Sequence, residues 1–220
     1  MFDFYAVLCY CFPMKDLLFE IKRIESSDLP RALENIDLQQ ERQRRIAAKK
    51  RKESIAASLL GDWTARELAA ELTHKKPEAL LVLDGKHGKP QLSGAEAEIS
   101  IAHSGEYAAA AAAKRPVGID LERMRPVLRT LALRVCSPEE QAWIHAVPDQ
   151  YLIRFFRLWT MKEAYGKMLG IGIFAPRRFY ARFVQGELIE LYPDCLFLFP
   201  EAPEGYAVSI CIAREGGDTK

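Results

Sequence analysis

Apolar residues recur in two rhythms along the 220-residue chain, one with a period near two and one near 3.6. Alternating or short apolar runs predict strands over 2–12, 79–83, 99–102 and 116–122. Four more follow over 179–184, 188–191, 195–199 and 206–212, with a Gln185-Gly186 turn between the first two. Helical spacing predicts a core helix from Glu53 to Lys76-Pro77, carrying Ile55, Leu59, Leu60, Trp63 and Leu68. Helix starts are written at Ser26-Ser27-Asp28 before Pro30, at Asp37, and at Ser137-Pro138-Glu139-Glu140. Further helices cover 128–134 and 151–169, the second ended by Gly170-Ile171-Gly172, and the tail 215–220 should be loose.

The six alanines 108–113 favour a helix by intrinsic propensity. Gly105 before them and Lys114-Arg115-Pro116 after them frame a hairpin, and the run is barely two helical turns long, so a strand is expected. In the next strand, Pro116-Val117-Gly118-Ile119-Asp120-Leu121-Glu122, alternation sets Asp120 and Glu122 on one face and Val117, Ile119 and Leu121 on the other. Adjacent carboxylates repel, and the pair is costly at the edge of a core unless a cation or a shared proton relieves it. A solvated strand face is the commoner explanation of an arbitrary D-x-E. A third acid, Glu163, in Trp159-Thr160-Met161-Lys162-Glu163-Ala164-Tyr165-Gly166-Lys167, raises the functional one.

With 49% hydrophobic residues the chain can bury a substantial core, as one large domain or two small ones. A formal net charge of +1 supplies no global field to draw it onto nucleic acid or a membrane, so charge-driven binding must come from local clusters. Cys9, Cys11, Cys136, Cys195 and Cys211 are odd in number and include no C-x-x-C pair. That argues against a disulfide framework and a zinc site and suits a reducing cytoplasm. Residues 2–12 are too short to span a bilayer and lack a positive leading segment, so no membrane partner is expected.

The densest cationic cluster lies between Glu41 and Glu53. Arg42, Arg45, Lys49 and Lys52 recur there at three- and four-residue spacing and predict one stripe on a continuous helix begun at Asp37. Solvent or a polyanion would relieve its self-repulsion. Lys86-His87-Gly88-Lys89-Pro90 is a tight turn whose amides and lysines suit a phosphate or open solvent. His103, in His103-Ser104-Gly105, is a satisfied structural histidine or a catalytic one. In the 151–169 helix Leu158, Met161, Tyr165 and Met168 face the core, while Trp159, Glu163 and Lys167 share another face. Glu163 and Lys167 alone are an ordinary i,i+4 pair.

Taken in order, five stretches resemble the motifs of the Sfp-type 4′-phosphopantetheinyl transferases: Leu60-Gly61 with Arg66, Gly88-Lys89-Pro90, His103-Ser104-Gly105, Gly118-Ile119-Asp120-Leu121-Glu122, and the Trp159 to Lys167 stretch followed by Gly170-Ile171-Gly172. Each is weak alone, whereas the ordered set across roughly residues 42–172 is specific. The resemblance implies an α+β fold of two similar halves related by a pseudo-twofold, each a small antiparallel sheet packed with helices, with coenzyme A in the cleft between them. The halves would be 1–104, with the basic helix and GKP turn, and 105–220, with the D-x-E strand and the Glu163 helix. The implied reaction moves the phosphopantetheine arm of coenzyme A to a serine of an apo acyl or peptidyl carrier protein and releases 3′,5′-ADP.

In that resemblance Asp120, Glu122 and Glu163 supply oxygen ligands to magnesium, or to manganese in its place. Glu163 is also the general base, directly or through a metal-bound water, and Lys167 and His103 complete the catalytic set. Arg42 and Arg45 take the 3′-phosphate, and Lys89, Pro90, His103, Ser104 and Lys167 hold the rest of coenzyme A. A monomer suffices to build the site. Ala57, Thr64, Ser100 and Ala102 depart from the family's usual residues at positions that bear on coenzyme contacts. The alternatives are a non-catalytic coenzyme A or nucleotide-binding module, and a nucleic-acid contact by residues 42–52; near-neutral charge and the lack of stacking aromatics nearby disfavour the latter.

Overall fold

The six alanines 108–113 are extended, and none is more than 2% exposed. The computed structural model describes residues 16–25, 40–171 and 179–215; the expected strand over 2–12, the helix starts at Ser26 and Asp37, Gly172 and residues 216–220 lie outside these. In chain order the first elements are β1 (Leu17–Arg23), α1 (Glu41–Ala47), α2 (Lys52–Thr73), the hairpin β2 (Leu81–Asp84) and β3 (Pro90–Ser93), β4 (Glu98–Ser104) and β5 (Tyr107–Ala113). There follow β6 (Val117–Arg123), α3 (Arg129–Val135), α4 (Pro138–His145), α5 (Tyr151–Leu169), the short hairpin β7 (Phe183–Val184) and β8 (Glu187–Leu188), β9 (Cys195–Leu198) and β10 (Tyr206–Ala213).

Two three-stranded antiparallel sheets, ordered β1-β5-β4 and β6-β10-β9, lie face to face. Ala109, Ala111 and Ala113 point into the layer between them, against Val117, Ile119, Leu121, Val208, Ile210 and Ile212. Ala110 and Ala112 point the other way, onto Ala65, Leu68 and Ala69 of α2. Small side chains let helix and sheet approach one strand from both sides, and that burial outweighs the helical propensity of alanine. The fold is thus α+β, with α2 on the outer face of one sheet and α5 on the outer face of the other. Each sheet is built in the same order: an edge strand, a long helix, the other edge strand, then the central strand. Because β5 belongs to the first sheet, the passage from one sheet to the other runs through residues 114–116 rather than between 104 and 105.

The basic segment departs from its predicted course. Instead of one helix with a cationic stripe, α1 ends at Ala47, Arg51 is extended, and α2 begins at Lys52. The side chains explain the break: Arg42 turns inward to Asp62, and Lys49 reaches Ser58 Oγ at 2.6 Å. At 185–186 the expected turn is present, with both φ values positive, 53° and 82°, as a tight hairpin requires. The strands it joins are two residues each, shorter than predicted. The expected helix start at Ser137 is present, and Ser137 and Glu140 form a capping box on α4.

The two sheets meet along β4 and β6 without a ladder. Ser100 Oγ accepts from the Ile119 amide at 3.0 Å, and four residues further along both strands Ser104 Oγ accepts from the Arg123 amide at 3.1 Å. On the outer face of β6, Gly118 lets α5 come in to contact distance. A Cβ there would lie 1.9 Å from the Ala164 carbonyl oxygen and 2.6 Å from the Met168 nitrogen, both backbone atoms. Gly118→Ala should therefore cost roughly 3 kcal/mol, as overpacking against a rigid backbone does. Urea denaturation checks this, and an unchanged midpoint would contradict it.

Candidate active site

The close approach at Gly118 fixes how α5 lies on β6, and with it the polar side chains beyond that contact. Asp120 follows Gly118 on the face towards α5, and Lys167 donates to its Oδ1 at 2.8 Å. The same ammonium donates to the carbonyls of Ile119 at 3.0 Å and Ile101 at 3.3 Å, so it spans the seam between the sheets. Asp120 Oδ2 is buried with no hydrogen-bond partner among the described residues. Glu122 Oε2 accepts from Ser104 Oγ at 2.8 Å, so the serine that stitches the seam also orients a carboxylate.

Electrostatics ties the third acid to these two. Burial, then the negative charge of Asp120, pushes the Glu163 carboxyl up to about 7, with Glu122 adding to the effect and Lys167 opposing it. Burial and Asp120 likewise raise Glu122, against the Ser104 hydrogen bond. Burial, then Lys49 and Lys167, lowers His103, which keeps its imidazole neutral at neutral pH. Among the described residues no group of three or more His, Cys, Asp or Glu side chains is placed to hold a metal ion on its own. The donor chemistry nonetheless fits a hard cation. All three are carboxylates, one has an orphaned oxygen, and Glu163 is penalised for its charge by its neighbours.

A cationic cleft of about 150 Å³ opens beside the seam, lined by Arg42, Arg45, Lys49, Ser58, Pro90 and His103 among others. Arg42 is buried. Its Nε and Nη2 donate to Asp62 at 2.8 and 2.7 Å, and its Nη1 donates to Asp84. Burial alone would lower its proton affinity, but the carboxylates of Asp62 and Asp84 hold it above the ordinary value. Partial burial likewise works against Asp84, yet the guanidiniums of Arg45 and Arg42 keep its carboxyl below the ordinary value. A second opening, of about 450 Å³, is lined by Arg51, Glu53, Ser54, Ala57, His103, Ser104 and Gly105. Asp120, Glu122 and Glu163 line neither opening. His103 lines both, and Ser104 connects the second to Glu122 through its hydroxyl.

The structure thus brings Arg42, Arg45, Pro90, His103 and Ser104 around the openings and pairs Lys167 with Asp120, while Glu163 lies near enough to Asp120, Glu122 and Lys167 to feel their charges. Lys89 lies apart from both openings: its ammonium donates to Glu98 at 3.0 Å and to the Met168 carbonyl at 3.0 Å, pinning the 86–90 turn to the last turn of α5. Sequence reasoning missed Ser58, Asp62 and Asp84, and counted Lys49 only as part of a stripe. One signal was present for Asp62, the one charged residue of α2 between Ile55 and Ala65.

A family model described as the 4′-phosphopantetheinyl transferase superfamily matches residues 116–211. A 4′-phosphopantetheinyl transferase of Bacillus subtilis is 32% identical over 171 residues, which cover 74% of this chain and 76% of the relative. The transferase Sfp of Bacillus subtilis strain 168 is 29% identical over the same shares of the two chains. The transferase psf-1 of Bacillus pumilus is 26% identical over 91% of each chain.

Proposed function

Because this chain belongs to the 4′-phosphopantetheinyl transferase superfamily, we propose that it moves phosphopantetheine from coenzyme A to a serine of an apo carrier protein by means of the charged cluster on β6 and α5. The observation that carries the proposal is the coupling of Glu163 to Asp120 and Glu122 beside a cleft of arginines and lysine. In the transfer, the serine oxygen forms a bond to the phosphorus of the pantetheine arm, the diphosphate P–O bond breaks, and 3′,5′-ADP leaves with the electron pair.

Each group has a part set by its surroundings. Glu163, whose charge burial and Asp120 penalise when no cation is bound, takes the serine proton, directly or through a water. Lys167 holds Asp120 and brings positive charge to the end of the seam. Arg42, Arg45 and Lys49 receive the 3′-phosphate, and neutral His103 donates to a coenzyme phosphate. Asp120 through Oδ2, Glu122 and Glu163 would hold magnesium or manganese. A cation bound there would neutralise charge developing on the diphosphate oxygens. The repeated strand-helix-strand-strand order supports a pseudo-twofold between the halves. The free, buried Cys136, Cys195 and Cys211 suit a cytoplasmic setting, and both halves in one chain suit a monomer. No described helix is long and apolar enough to cross a membrane.

The test is mass spectrometry of a panel of apo acyl and peptidyl carrier proteins incubated with coenzyme A and magnesium. A gain of one phosphopantetheine on at least one carrier, abolished by a chelator, is the expected result. Coenzyme A binding without modification of any carrier would instead make the chain a binding module.

A further inference from the structure

Two acids hold the arginines of the cationic cleft, Asp62 in its lining and Asp84 just outside it, and the two are not equivalent. Asp62 is fixed inside α2, with its side chain 12% exposed, and pairs only with Arg42 among the described guanidiniums. Asp84 ends β2 with its side chain 25% exposed, beside an Arg45 side chain that is 55% exposed. Its two oxygens accept from Arg45 Nε at 2.8 Å and Nη2 at 2.7 Å, a bidentate fork, and Oδ1 also takes Arg42 Nη1. A phosphate presents the same paired oxygens to a guanidinium. Asp84 thus occupies donors that a phosphate would use, and a quarter of its side chain is open to solvent. The charges sharpen the point. Arg42, Arg45 and Lys49 against Asp62 and Asp84 leave one net positive charge around the cleft, where a phosphate monoester carries nearly two negative ones.

We propose that Asp84 is a built-in competitor for the 3′-phosphate: its carboxylate holds the Arg45 fork before ligand binds and is exchanged for the phosphate on binding, so that it loosens the hold on coenzyme A and on 3′,5′-ADP after transfer. The inference rests on the reading of Arg42 and Arg45 as the 3′-phosphate site. It makes Asp84 a specificity-setting residue, because it weakens ligands only through the phosphate they carry at the 3′ position.

Calorimetry with coenzyme A, 3′,5′-ADP and dephospho-coenzyme A, which lacks the 3′-phosphate, tests this on the wild type and on Asp84→Asn, Asp84→Ser and Arg45→Ala, each confirmed folded by thermal melting. Removing the competing charge should tighten coenzyme A and 3′,5′-ADP roughly tenfold, the worth of one charge-assisted contact, and leave dephospho-coenzyme A unchanged. Weaker coenzyme A binding in both Asp84 variants, or equal tightening of all three ligands, overturns the proposal. Arg45→Ala separates the two levels. If it weakens coenzyme A but not dephospho-coenzyme A, the phosphate site stands and a failure of the Asp84 variants counts against the competitor alone. If wild type and Arg45→Ala bind both ligands alike, the phosphate site falls and the competitor with it.

Discussion

Glu163→Gln should slow transfer to the carrier serine by about 10²–10⁴-fold, the usual worth of a positioned general base, and should at the same time make the metal-free protein more stable above pH 7. The second effect follows from the sign of the shift. The carboxyl is raised from its ordinary value of 4.5 to about 7 by burial and by Asp120, so between those values the folded chain binds more protons than the unfolded one. Stability attributable to this group therefore falls as pH rises from near 4.5 to about 7, and the full cost is present above it. Glutamine has no such charge and keeps the shape. Melting curves at pH 5 and pH 8 check the stability claim. A variant that gains nothing at pH 8 over its value at pH 5 would show that Glu163 is not strained by its neighbours.

Glu140→Ala should remove about 3–5 kcal/mol of stability, the cost of breaking a fully buried ion pair by removing one side of it. Glu140 and Lys162 have side chains 0% and 1% exposed and meet at 2.7 Å. The carboxylate also accepts from the Ser137 and Ala181 amides, each at 2.7 Å, and the ammonium donates to the Val135 carbonyl at 2.7 Å. One ion pair therefore ties the end of α3, the start of α4 and the chain at residue 181 to Lys162 on α5, one position before Glu163. Against a total of about 5–15 kcal/mol for an ordinary domain, such a loss is large. Urea denaturation measures it, and the double variant Glu140→Leu with Lys162→Met should recover much of it, since apolar replacement leaves no orphaned charge. A single-variant loss under about 1 kcal/mol would mean that water reaches the pair.

What the sequence made legible depended on whether the information was local. The period-two face of the 116–122 strand and the four-residue spacing of Glu163 and Lys167 are local, and Lys167 does meet Asp120. The alanine strand was legible for a similar reason, through Gly105 and the 114–116 turn that frame it, although its covered faces are what stabilise it. The basic helix was not. Arg42 finds Asp62 at 20 residues' separation and Asp84 at 42, and no periodicity announces such partners. The same holds for Ser100 and Ser104, small polar residues whose task is to join two sheets, and for Lys162, which a helical-face pattern cannot distinguish from a solvated lysine. Ser100, read as a departure from the family, is in this chain the acceptor for the Ile119 amide at the seam.

Asp120, Glu122 and Glu163 are proposed to act together on one hard cation beside the cationic cleft. Titration of manganese into the protein with coenzyme A present, followed by electron paramagnetic resonance, tests it directly in the wild type and in Asp120→Asn, Glu122→Gln and Glu163→Gln. The expected result is a single tight ion per chain in the wild type and clearly weaker binding in each variant. Tight binding that survives all three substitutions would contradict it.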